Sequence, residues 1–188
     1  MKKWIFPVIL VGVLILGSVW LVGVKNELER LNDAVNAQWK EVELSFQKRA
    51  LFIPNLVTAA SEYAEFNNET LTLVNITQHT ASEISLNPLV MTSDDLNLFQ
   101  QTQSELSEAM SKMLITFDRY PYLKTYDAFK DPLATLQQKE DSIYLQRSLF
   151  NETVGRYNIE LEEFPNTIIV ALRSLSKRAY FEAETDNK

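Results

Sequence analysis

The sequence predicts an all-α protein, with an N-terminal transmembrane helix followed by an antiparallel bundle of three long helices plus a shorter C-terminal helix. Three observations carry this. Four glycines and six prolines in 188 residues encode few turns. Apolar residues recur at alternating spacings of three and four along most of the chain. Residues 4–24 (WIFPVILVGVLILGSVWLVGV) form an uninterrupted run without a charge.

That run is the first element. A helix of its length covers roughly 31 Å, about the hydrocarbon thickness of a bilayer. Trp4 and Trp20 lie toward its two ends, where interfacial aromatics are expected. A cleaved signal peptide is the competing reading, since Lys2 and Lys3 resemble its basic start. The run is too long for that, no clear small-x-small site follows, and helical periodicity begins at once after Val24. Residues 1–24 are therefore assigned to an anchor, 25–184 to one helical bundle domain and 185–188 to a tail. The lysine bias places the N-terminus inside and the domain outside the membrane of a single-pass protein.

The first bundle helix runs from Lys25 to about Ala81. Its seam is read as Leu28, Leu31, Val35, Val42, Phe52, Leu56, Ala59 and Tyr63, with Gln38, Ser45 and Arg49 in the remaining places. Pro54 and Asn55 interrupt this pattern at RALFIPNLV. A proline there frees the carbonyl of Ala50, and Asn55 can supply local side-chain hydrogen bonds, so a bend without a break is predicted. After SLNPLVM, Thr92 or Ser93 followed by Asp94 and Asp95 reads as a helix start.

The second helix carries Leu96, Phe99, Gln103, Leu106, Met110, Met113, Phe117 and Tyr120 in strict alternation, as in a coiled-coil face, up to Pro121. The third begins at Asp131-Pro132, and its seam runs Leu133, Leu136, Glu140, Ile143, Arg147, Phe150, Val154, Tyr157, Leu161 and Phe164. Pro165 ends it. Asn166 to about Glu184 is the shorter final helix, with Ile168, Ile169, Val170, Leu172 and Leu175 as an apolar strip for docking a partner. The seam aromatics are read as core, with an aromatic-lined ligand groove between helices as the alternative.

Arg49, Glu140 and Arg147 stand at places where periodicity demands burial. Glu140 and Arg147 are seven residues apart, about 10 Å along a helix, too far to pair directly. Arg49 is therefore the candidate partner for Glu140 in an interhelical polar layer that sets register. The alternative is that these long side chains snorkel to water.

Composition narrows the function more by exclusion than by signal. The chain has no cysteine, which removes disulfides, thiolate metal sites and cysteine nucleophiles. Its formal charge is −7, and without residues 1–24, which contribute only Lys2 and Lys3, the balance is −9. Such a surface repels nucleic acid and anionic lipid alike. The single histidine, His79, is preceded at three residues by Ile76, so no Glu-x-x-His pair exists for a di-metal bundle site. Glu83 shares its face, but two ligands are too few for a specific metal site. There is no glycine-rich phosphate loop. Asn68, Asn75 and Asn151 head formal glycosylation triplets within helical segments. No catalytic residue, cofactor or metal is expected.

Trp39-x-x-Val42 and Arg49-x-x-x-Ile53-Pro54-Asn55-Leu56-Val57 resemble the signature of the LemA family of bacterial membrane proteins. The resemblance continues through Tyr120-Pro121-x-Leu123-Lys124, Phe129, Leu136-Gln137, Glu140, Ile143, Arg147, Tyr157-Asn158, Phe164-Pro165 and Tyr180-Phe181-Glu182. It departs at Asp141, where the family usually has Asn, and at Phe150, where Tyr is commoner. The resemblance implies one membrane helix on a bundle of long antiparallel helices, no enzyme activity, and a link to membrane-associated processes and organelle-like membrane organisation. It also implies a cytoplasmic domain, opposite to the lysine bias followed here. Together these features predict a non-enzymatic scaffold or interaction module with an unknown protein partner or self-association. The alternative is a peptide- or small-molecule-binding sensor or adaptor coupled to membrane signalling.

Overall fold

The computed structural model describes residues 5–61, 68–118 and 127–182. Their regular structure is entirely helical: α1 (Ile5–Ser61), α2 (Asn68–Glu83), α3 (Ser93–Asp118), α4 (Asp127–Glu162) and α5 (Thr167–Arg173). α4 packs along α1, α2 packs along both α1 and α3, and α5 lies across the end of the bundle against α1 and α4. α4 runs antiparallel to α1, since Gln38 meets Gln146 while Arg49, further along α1, meets Glu140.

α1 is one helix from the apolar run into the bundle. Its N-terminal part is long and apolar enough to cross a membrane. Ile9, Leu10, Val11, Val13, Leu14, Ile15, Leu16, Val19 and Val22 are all exposed, with no part of the domain covering them. Leaving such side chains in water forgoes about 1.5–3 kcal/mol each, which a hydrocarbon surrounding restores.

The face that α1 buries is Leu28, Leu31, Val35, Trp39, Val42, Phe46, Arg49, Ile53, Leu56 and Ala60. This corrects the seam expected through Gln38 and Phe52. Gln38 and Phe52 are half-buried while Ser45 is buried, so the buried face is wider than one seam: Trp39, Phe46, Ile53 and Ala60 repeat every seven residues beside it, and α1 packs against both α4 and α2. Tyr63, Tyr120 and the side chains of Ala59, Phe117 and Leu133 lie outside the described residues.

The helix expected to run to Ala81 is two helices. α2 returns along α1, and Leu71, Val74 and Ala81 pack with Ile53, Leu56, Leu106 and Met110. Continued outward in the direction of α1, that apolar face would have had no cover. α4 begins at Asp127, four residues before the expected start. α5 is also shorter than expected. Ser174 adopts a left-handed conformation (φ 51°, ψ 41°) and the Leu175 N–H bonds to the Val170 carbonyl, ending the helix.

Thr92 caps α3. Its carbonyl accepts the first helical bond from Leu96, its hydroxyl accepts from the Asp95 N–H at 3.2 Å, and Asp95 Oδ2 accepts from the Thr92 N–H and hydroxyl, each at 2.8 Å. The Thr92 backbone N–H, and next its hydroxyl, hold the Asp95 carboxyl below its ordinary value of 3.8. A depressed carboxyl stabilises the fold above its unfolded pKa and loses that contribution as pH falls through the folded one. Asp95→Asn should therefore show a shallower loss of Tm than the parent on acidification below about pH 4. Equal slopes would show that the box adds nothing.

Candidate functional site

Two hydrophobic clusters are stacked along the bundle. The proximal one, nearer the N-terminal end of α1, gathers Trp39, Phe46, Phe99, Phe150, Tyr157 and Phe181 among others. The distal one gathers Ile53, Leu56, Leu106, Met110, Met113 and Leu136 among others. On α1, α3 and α4 alike, the sequence passes from one cluster to the other through a polar position: Arg49, Gln103 and Glu140.

Arg49 is 1% exposed and is the buried charge among the described residues. Its Nη1 donates to Glu140 Oε1 at 3.0 Å, to Oε2 at 3.1 Å and to Ser107 Oγ at 2.8 Å, while Nη2 donates to Gln103 Oε1 at 2.6 Å. Gln103 is oriented in turn by its Nε2 donating to the Ala81 carbonyl at 3.0 Å. The guanidinium also lies 5.4 Å from the centroid of the Phe46 ring. The layer thus ties all four bundle helices. Glu140 is its solvent-side member, with a side chain 37% exposed. Arg147 lies over the Phe181 ring at 5.0 Å and donates to the Glu182 carbonyl at 3.3 Å.

Pro54 lies within α1, which continues to Ser61. The carbonyl of Ala50, left without its helical donor by that proline, accepts Gln78 Nε2 from α2 at 3.1 Å. The donor thus comes from another helix and not from Asn55, which is exposed. Gln78 was not foreseen, because nothing in its local spacing marks it.

Beyond α5 the chain runs without regular structure to Glu182, between α3 and α4. Side-chain amides hold this strap by its main chain. Asn158 donates to the Arg178 carbonyl and accepts from its N–H at 2.9 and 2.8 Å. Asn151 does the same to Phe181, at 2.9 Å both ways, and Gln100 to Glu182 at 2.9 and 3.1 Å. Each amide substitutes for one rung of a β-ladder. Asn151 and Asn158, seven apart on α4, and Gln100 on α3 position the strap, and helical periodicity does not reveal them. Phe181 enters the proximal cluster and stacks on Trp39 with ring centroids 6.0 Å apart.

Further along, the space between α3 and α4 is an open groove of about 730 Å³. Met110, Leu114, Leu136 and Ile143 contribute apolar surface, and Ser104, Ser107, Gln137, Glu140, Tyr144 and Arg147 contribute polar groups. That mixture can bind a ligand or a chain segment. It has no paired nucleophile and base: the histidine, His79, is exposed on α2 and 3.8 Å from Glu83.

The strip on the final helix is divided. Ile169 is buried, Val170 and Leu175 pack against the proximal cluster, and Ile168 and Leu172 are exposed. Phe164, placed in the core by periodicity, is 83% exposed, since α4 ends at Glu162 and the chain turns away before it.

The family model described as LemA family matches residues 38–188. Two curated proteins of Paramagnetospirillum magneticum (strain ATCC 700264 / AMB-1), magnetosome protein MamQ 2 and magnetosome protein MamQ 1, are each 24% identical to the chain over 74 residues. The match covers 39% of this chain and 27% of each of theirs, so the chain spans about a quarter of the length of these relatives.

Proposed function

This chain belongs to the LemA family, and from that premise we propose that it is a single-pass, non-enzymatic scaffold or interaction module of the bacterial cytoplasmic membrane. The observation that carries the reading is the continuity of α1. One helix joins a segment whose apolar side chains have no protein cover to a domain whose core is complete without them. Residues 4–24 are the bilayer contact, and a protein partner or a second copy is the other. The similarity to two proteins named for the magnetosome supports a membrane-organising role. The lysine bias of the N-terminus favours a domain outside the membrane. A reporter fused after Lys188 should be active on the outer side.

Crosslinking in intact cells, followed by identification of the products, tests the scaffold reading. Recovery of a defined partner or homo-oligomer is the expected result, and recovery of neither would overturn it.

A second reading rests on the α3–α4 groove, whose volume is within the range of small-molecule sites. In it, a peptide or small molecule seated beside Glu140 and Arg147 is sensed, and the bundle passes the signal on as an adaptor. Binding that is abolished by Ser111→Trp, which projects a ring into the groove from an exposed position of α3, would favour it over the scaffold.

A further inference from the structure

The proximal end of the bundle holds a set of exposed apolar side chains unrelated to either core. Phe164, Ile168 and Leu172 follow one another at intervals of four, and they are 83%, 45% and 75% exposed. Leu89 and Val90, in the turn between α2 and α3, are exposed at the same end. Their level along α1 is set by contacts. Arg173, at the end of α5, bonds to Glu29 at 2.9 Å. Arg178 bonds to Asn32 at 2.7 Å and also to the carbonyls of Pro88 and Leu89. Leu21 and Val24, the last turn of the apolar run, pack against the same cluster as Val170 and Leu175.

We infer that this end of the domain sits in the bilayer interface, with Phe164, Ile168 and Leu172 inserted shallowly beside the emerging α1. The inference rests on α1 spanning the membrane and names a second contact with it. If Val24 marks the edge of the hydrocarbon, Glu29 is roughly 7 Å above it, which is within the headgroup region. α5 is therefore held at interface depth by its contacts with α1. An apolar face carried at that depth removes its area from water by meeting lipid, without moving any part of the fold. The chemistry agrees with the charge: a domain that is acidic overall gains nothing from anionic headgroups, so the contact is apolar insertion and not electrostatic adhesion. The consequence is orientation. A domain joined to its membrane by a single helix is free to tilt, whereas one with a second contact beside that helix is held upright.

The absence of cysteine makes the test direct. Single cysteines replace Phe164, Leu172, Leu51 and Leu14 in the full chain. Each is labelled with an environment-sensitive fluorophore and reconstituted in phosphatidylcholine vesicles without nitroxide, with lipids carrying a shallow nitroxide, or with lipids carrying one near the bilayer centre, the last being the quencher for the label at 14. Leu51 is exposed at the distal end and Leu14 lies in the span. Labels at 164 and 172 should lose roughly half their emission to the nitroxide lipid, as shallow insertion predicts, and the label at 51 should lose none. Labels at 164 and 172 that behave like the one at 51, while the label at 14 is quenched, overturn the inference and leave the anchor standing. Absence of quenching at 14 as well overturns the anchor itself. Blue-shifted emission at 172 without lipid quenching shows a protein covering the face and also overturns the inference.

Discussion

Glu140→Gln should destabilise the protein more than Arg49→Met, although arginine is the buried member of the pair. Arg49 cannot leave its site, and without the carboxylate its charge meets only the Phe46 ring face and neutral oxygens, those of Gln103, Ser107 and the new amide. An uncompensated charge so deeply buried costs about 3 kcal/mol or more. Arg49→Met removes the charge and keeps most of the volume. The Glu140 carboxylate, already on the groove, then turns to water, and the remaining loss of the Gln103 and Ser107 partners costs about 1–2 kcal/mol. The double variant should match Arg49→Met and be more stable than Glu140→Gln alone. Thermal or denaturant unfolding of the four proteins in one detergent measures the cycle, and additive losses would remove the pairing from any account of the layer. A layer of this kind contributes little net stability. We propose that its role is alignment, since slipping any helix by one turn would bury Arg49 against one of the two apolar clusters.

The second large effect is expected at the strap. Phe181→Ala should cost about 3–5 kcal/mol for a ring enclosed by Trp39 and Phe150 and covered by the Arg147 guanidinium. Its signature differs from that of an ordinary core cavity. The strap has no helical bonds of its own, so losing its anchor should release residues 175–182 before the bundle unfolds. Trypsin should cut after Lys177 and Arg178 much faster in the variant, with α1 and α4 still protected from hydrogen exchange. Asn151→Ala should give the same pattern more weakly. Global unfolding with no early cleavage would show that the strap is an integral part of the core.

Much of the bundle was legible because burial follows period. The α3 face from Leu96 to Met113 and the α4 face from Leu136 to Leu161 are buried or face the groove where spacing places them. Three features were hidden for separate reasons. The α1 face extends to Trp39, Phe46, Ile53 and Ala60 because α1 packs against two helices, α4 and α2, which counting a single seam does not show. The return of α2 was hidden because Leu71 and Val74 are as apolar in a continuing helix as in one that folds back. The strap was hidden because ALRSLSKRAYFEA has acceptable helix propensity; Ser174 and three distant amides override it, and none of them leaves a periodic trace. Of the candidate site, Arg49 and Glu140 stood out as charges on apolar seams. Gln103 did so less, and Gln78 and Ser107 not at all, since their importance depends on what another helix brings to them.

The unbroken α1 also fixes heights. With a rise of 1.5 Å per residue, Arg49 stands roughly 37 Å beyond Val24 and Ser61 roughly 55 Å beyond it. With α1 anchored in the bilayer as proposed, the α3–α4 groove opens at the level of Arg49, far above any headgroup, whereas α5 is carried at the foot of the same rod. Lipids and short-necked membrane neighbours can therefore meet only the lower storey. Whatever occupies the groove must arrive from solution or on a stalk of its own.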